Sequence, residues 1–112
     1  MNSDARAGAV FTALADPTRR AVLSLVGSHG PLTATELAAE LPVSRQAVVK
    51  HLGALRDAGL VDSTKAGRDV RYELRSAALA PAATWIAEVG DRWDRRLAAL
   101  ARRAAARSLR DA

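Results

Sequence analysis

The chain has 112 residues, 49% of them hydrophobic, no cysteine, and a formal net charge of +5. That length suits one compact domain, and the missing cysteine excludes a disulfide framework, a thiolate nucleophile, a thiolate metal site and redox sensing. The basic excess, with an isoelectric point of about 11.0, attracts polyanions, and no uncharged stretch approaches the roughly 18 apolar residues of a spanning helix, so nucleic acid rather than membrane is the expected partner.

The start Met1-Asn2-Ser3-Asp4 lacks a basic region followed by an apolar one, and a cytoplasmic location is expected. One Phe, one Tyr and two Trp leave few large side chains for a core. Burial through oligomerisation would help such a chain.

A first helix is predicted over about Asp4–Ala15, where Val10, Phe11 and Leu14 form an apolar stripe, although Gly8 weakens it. Asp16 is placed to cap a second helix that opens with Pro17 and buries Val22, Leu23 and Val26. The run from Gly27 to Pro31 reads as a turn. Thr33 and Glu36 then have capping-box spacing for a short helix to about Glu40, anchored by Leu37 and Leu41. Pro42 breaks it, and Ser44 is positioned to cap a helix through Arg56 whose buried side carries Val48, Leu52 and Leu55. Gly59 supplies a left-handed stop.

Two helices joined by a turn of about four residues, the second opening with polar and basic side chains, have the layout of a DNA-reading helix-turn-helix. After them Leu60–Ala66 and Val70–Arg75 tend to alternate, with Val70, Tyr72 and Leu74 on one face and Arg71, Glu73 and Arg75 on the other. Gly67-Arg68-Asp69 joins the two as a hairpin turn, and the basic-tipped hairpin completes a winged helix.

From Ala78 to Arg107, apolar residues Ala82, Ile86, Val89, Trp93, Leu97, Leu100 and Ala104 step by three or four, which predicts an amphipathic helix. A seam of about seven turns exceeds what one small winged domain covers, so a second subunit is expected against it. Intramolecular packing is the alternative, and Trp85 and Trp93 could instead line a small-molecule pocket. The arginines from Arg95 to Arg110 make a basic end, read as a solvated face or as a contact to flanking phosphate.

Four groups of residues carry a family resemblance. They are Ala13-Leu14-Ala15-Asp16-Pro17-Thr18-Arg19-Arg20, Glu36-Leu37-Ala38, the stretch Val43-Ser44-Arg45-Gln46-Ala47-Val48 with Lys50-His51-Leu52, and Ala58-Gly59-Leu60-Val61. In order and spacing they resemble the ArsR family of bacterial repressors, over about Phe11 to Leu74. The resemblance implies a dimer of winged-helix subunits that binds an operator and is commonly released by an effector. Founding members sense metals through cysteines near the reading pair, or through His with Asp or Glu on the last helix. This chain has Ala38-Ala39 in the first region and no His after His51. Asp91 and Asp94, without imidazole or thiol, make a poor transition-metal site. No metal, no cofactor and no catalysis are expected, and the effector is left open.

The candidate DNA-binding residues are Ser44, Arg45, Gln46, Val49, Lys50, His51, Lys65, Arg68 and Arg71. Arg45 and Gln46 suit guanine and adenine edges in a major groove. Ser44 is a cap first and a phosphate ligand second, while Lys50 suits phosphate. Val49 stands where the family often has a small polar residue, and either fills a gap between helices or touches a thymine methyl. His51 belongs to a matched segment; a packed histidine is its other reading. Lys65, Arg68 and Arg71 surround the wing tip and could reach backbone or minor groove. Arg19 and Arg20 follow a helix start, a location that suits phosphate and is unfavourable to cations, and the other reading of Arg19 is that it ties the helix to the core. The candidate dimer interface comprises Val10, Phe11, Leu14, Ile86, Val89, Trp93, Leu97 and Leu100.

The expected architecture is therefore mainly α with a small β-hairpin, a winged helix-turn-helix dimerised through terminal helices. One domain spans 1–112, with the reading pair at about 33–58, the wing at about 60–75 and a dimerisation helix at about 78–107. The expected function is sequence-specific binding of double-stranded DNA by a homodimeric transcriptional regulator. A winged helix used for protein docking is the alternative, and it would call for aromatic anchors where this sequence has Arg45, Gln46 and Lys50.

Overall fold

The computed structural model describes residues 3–111. Contacts divide the chain into one unit ending at Ala82 and a second from Ala83 onward, the latter being the remainder of the last helix.

In the first unit, α1 (Ser3–Ala13) and α2 (Pro17–His29) are separated by a short turn. The second helix starts where it does because Asp16 caps it, its carboxylate accepting the backbone N–H groups of Thr18 and Arg19 at 2.8 and 3.1 Å. The first helix ends two residues before the predicted Ala15. Gly8 is accommodated in α1, where an added Cβ would meet nothing within 4 Å.

The predicted turn from Gly27 to Pro31 is helical as far as His29, and the stop is Gly30, whose N–H donates to the Val26 carbonyl. Beyond it lies a strand that the sequence did not announce, β1 (Leu32–Thr33), only two residues long. The pair α3 (Ala34–Glu40) and α4 (Arg45–Asp57) follows as predicted, with Thr33 and Glu36 forming the full capping box and Ser44 accepting the Ala47 N–H. Gly59 takes φ of +78°, the left-handed stop.

The hairpin consists of β2 (Val61–Ala66) and β3 (Asp69–Leu74). Ala66 pairs directly with Asp69, so the turn is the two residues Gly67-Arg68 rather than three, and Gly67 carries the positive φ of +63°. Tyr72 and Leu74 lean on the core while Val70, toward the tip, is exposed. β1 adds to the other side of β3, giving an antiparallel sheet in the order β1-β3-β2.

The core is aliphatic. Its most enclosed side chains are Val10, Val22, Leu37, Val48, Leu52, Leu55, Leu60 and Val61, and among the described residues no aromatic ring is fully buried. A 3-10 turn (Ser76–Leu79) leads into α5 (Ala80–Asp111), which starts two residues later and runs four residues farther than the predicted span. Its last third is rich in alanine and arginine, strong helix formers that extend a helix without tertiary support.

Candidate nucleic-acid interface

The outer face of α4 is assembled by its inner one. Val48, Leu52 and Leu55 are fully buried, and at 3.6 residues per turn Arg45, Gln46, Val49, Lys50 and Gly53 fall in a sector of about 140° that begins beside this face and turns away from it. All of these except the half-buried Gly53 are exposed. Val49 is 40% exposed, so it fills no gap between helices. Ser44 holds the first turn together through its 3.1 Å bond from the Ala47 N–H, which occupies a lone pair and leaves its hydroxyl proton able to donate.

His51 does not join that face. It is half-buried, and its Nδ1 is enclosed without a hydrogen-bond partner. The packed-histidine reading therefore describes its position. The nearby Asp16 carboxyl is lowered chiefly by the backbone N–H of Arg19, against burial, with the N–H of Thr18 assisting and the charges of His51 and Arg19 adding least.

Two contacts that spacing alone did not reveal tie α3 to the candidate DNA-facing residues. Arg45 Nε donates to Thr35 Oγ1 at 3.2 Å, linking the first turn of α4 to the first turn of α3. Arg71 of β3 lies 3.4 Å from Glu36 Oε1. Glu36 also accepts the Thr33 N–H at 3.0 Å, and this bond, followed by the Thr33 hydroxyl, holds its carboxyl below the usual carboxylate range against the opposing effect of burial, with the Arg71 charge adding least. The signal available in the sequence was only that a capping-box glutamate has a second oxygen lone pair to share.

In the wing, Lys65 and Arg68 are exposed at and beside the turn, whereas Arg71 is half-buried on the side nearer α3. Arg75 pairs with Asp62 at 2.6 Å across the hairpin. Arg19 and Arg20 bend back instead of outward, donating to the carbonyls of Ala13 and Leu14 at the end of α1. The tie between helices is thus their observed role.

The candidate interface between subunits divides in a similar way. Val10 is 1% exposed and belongs to the chain's own core, and Leu14 packs against that core. Phe11 is 38% exposed. Ile86, Trp93, Leu97 and Leu100 are about half exposed along α5, and Val89 is partly so.

A family model described as a helix-turn-helix domain matches residues 14–64, the span that holds α2, α3, α4 and the start of the wing. The regulator Rv2034 of Mycobacterium tuberculosis is 49% identical over 70 residues, covering 62% of this chain and 64% of that protein, so the match spans less than two thirds of that relative. The transcriptional repressor SdpR of Bacillus subtilis is 31% identical over 77 residues, covering 69% of this chain and 84% of the repressor. An ArsR-like transcriptional regulator from Rhodococcus sp. RHA1 has a similar solved structure, with a TM-score of 0.73 at 45% identity over 89% of this chain and 93% of that one. By the domain match and by these likenesses in sequence and structure, the chain belongs to the ArsR family of winged helix-turn-helix transcriptional regulators.

Proposed function

We propose that the protein is a sequence-specific regulator of transcription that binds double-stranded DNA as a homodimer and represses from an imperfect inverted repeat. The observation that carries this reading is the outer face of α4, where Arg45, Gln46, Val49 and Lys50 are exposed together over a fully buried inner face. A helix presenting its N-terminal residues in this way fits a major groove, with Arg45 toward guanine, Gln46 toward adenine and Val49 toward a thymine methyl. Ser44 and Lys50 meet phosphate at the groove edge. Lys65, Arg68 and Arg71 carry the wing to the backbone or minor groove beside it.

The second copy covers the α5 seam of Ile86, Val89, Trp93, Leu97 and Leu100, and Phe11 of α1 is a separate candidate contact to it. Half-exposed Trp and Leu in one row are unfavourable in water and suited to a two-fold contact. The protein works in the cytoplasm, performs no catalysis and senses no transition metal, the last supported by a sequence without cysteine whose last helix lacks histidine. α3 with α4, the hairpin and α5 form one functional domain for reading, wing contact and dimerisation.

Selection of bound duplexes from a random pool, followed by footprinting, tests this. The expected result is an inverted repeat with half-sites about one helical turn, roughly 34 Å, apart. Replacing Arg45 or Gln46 by Ala should cost about 1–3 kcal/mol on that site and relax one position per half-site. Failure to enrich any sequence would sink the reading and favour protein docking.

A further inference from the structure

The positive charge that points to nucleic acid is unevenly distributed. Residues up to Ala82 hold ten Lys and Arg against eight Asp and Glu, a net +2, whereas the last 30 residues hold seven Arg against four acids, a net +3. Between Arg95 and Arg110 there are six arginines and no acidic residue. All six are exposed on α5. Among the described residues none of them has an acidic partner; Arg95 Nε reaches only the Asp91 carbonyl of its own helix, at 3.4 Å.

Their arrangement is ordered. At about 100° per residue the six fall within a sector of about 140°, alongside the apolar seam, and they span about 24 Å of helix. Arg103 and Arg107 stand four apart and Arg107 and Arg110 three apart, like-charge spacings that repel within a helix. The intervening alanines keep the segment helical by propensity. Favourable interaction of cations with the helix C-terminus reaches only the last turn, so it offsets the repulsion at Arg110 and not at Arg103.

We propose that the arginine stripe Arg95–Arg110 of α5 is a second DNA-binding surface, which grips backbone phosphates without reading bases. This rests on the reading of the protein as a DNA binder. Arginine is suited to the task because its planar fork binds phosphate oxygens in pairs and is more weakly hydrated than an ammonium group. The near-neutral unit up to Ala82 then supplies sequence choice, and the stripe supplies most of the salt-sensitive affinity.

The test compares the unmodified protein with a variant carrying Arg102→Gln, Arg103→Gln, Arg107→Gln and Arg110→Gln, and with the matching Arg→Lys variant. Gln keeps helix propensity, and circular dichroism checks that each protein is folded. Affinity for a selected operator duplex and for a random duplex is titrated over a range of salt. The Gln variant should bind both duplexes at least about tenfold more weakly at low salt, with the logarithmic salt slope shallower by about one unit for each phosphate that is no longer neutralised. Preference for the operator should be unchanged. The Lys variant should keep the slope.

Sequence selection by the unmodified protein, with identical salt slopes for the Gln variant, overturns this inference alone. Salt-dependent binding without any sequence preference, weakened in the Gln variant, supports it and overturns the reading of α4. No DNA binding at all overturns both. A parallel titration with phosphatidylserine vesicles separates lipid from DNA: loss of vesicle binding in the Gln variant with an unaltered DNA slope assigns the stripe to a membrane surface and overturns the inference.

Discussion

Arg71 and Glu36, 35 positions apart in sequence, meet at 3.4 Å. Their contact makes one carboxylate serve two structures, because the oxygen that faces the wing arginine also accepts the N–H that opens α3. Both side chains are substantially exposed, so the pair is a weak tether by itself. Its significance lies in the position it gives Arg71 beside the reading pair.

The lowered Glu36 carboxyl sets a pH dependence. A carboxyl whose folded-state affinity for protons is depressed adds stability that is present above the ordinary carboxylate range and is lost as pH falls through the folded value. Glu36→Gln retains a side chain that can accept the Thr33 N–H but removes the charge. Melting temperature measured against pH should therefore fall less steeply on acidification in Glu36→Gln than in the unmodified protein. Parallel curves would show that the cap and the wing contact do not depend on ionisation.

Two glycines should respond to alanine in opposite directions. At Gly30 an added Cβ would collide with the Val26 carbonyl oxygen, the group that its own N–H satisfies, and the forced shift should cost about 1–3 kcal/mol. At Gly53, inside α4, a Cβ meets nothing within 4 Å, and Gly53→Ala should stabilise by about 0.5–1 kcal/mol. Urea unfolding of the two variants, read as a shift in midpoint, decides both. A neutral Gly30→Ala would mean that the α2 stop yields easily.

Leu52 is fully enclosed on the inner face of α4. Leu52→Ala should cost about 2–5 kcal/mol, because it removes transfer energy and leaves a cavity that aliphatic neighbours only partly fill. Denaturant titration gives the value. A cost below about 1 kcal/mol would imply that the core under the reading helix collapses freely.

Trp93 is 57% exposed along α5, so a charge there opposes a partner and not the fold of the winged unit. Trp93→Glu should keep the helical and β signals of that unit while sedimentation shifts from dimer to monomer. An unmodified protein that sediments as a monomer at micromolar concentration would remove the dimer from the proposed function.

Much of this molecule could be read from local chemistry. Asp16, Thr33 and Ser44 each precede a helix and each accept the backbone N–H groups that capping requires, and the spacing of Val48, Leu52 and Leu55 alone separates the inner from the outer side of α4. What escaped depends on groups distant in sequence. β1 has two residues and no alternation to detect; it exists because β3 presents a pairing edge to it. The assignment of Val10 to an interface failed for the same reason, since a helical stripe shows that a face is apolar without showing what covers it. Arg45 with Thr35, and Arg71 with Glu36, are likewise visible only once α3 and the wing are in place.

The short ladder of β1 has a dynamic consequence. It pairs Leu32 with Tyr72 and Thr33 with Arg71 and goes no farther, so β3 is flanked on both sides only at Arg71 and Tyr72, while Asp69 and Val70 toward the tip are held by β2 alone. A two-stranded ribbon is marginal in water, and three strands over a core are not. Amide exchange should therefore be graded along the wing, slowest at Tyr72 and fastest around Gly67 and Arg68. The root of the wing keeps its place relative to α3, and the few residues at the tip remain compliant, free to adjust to whatever surface they meet.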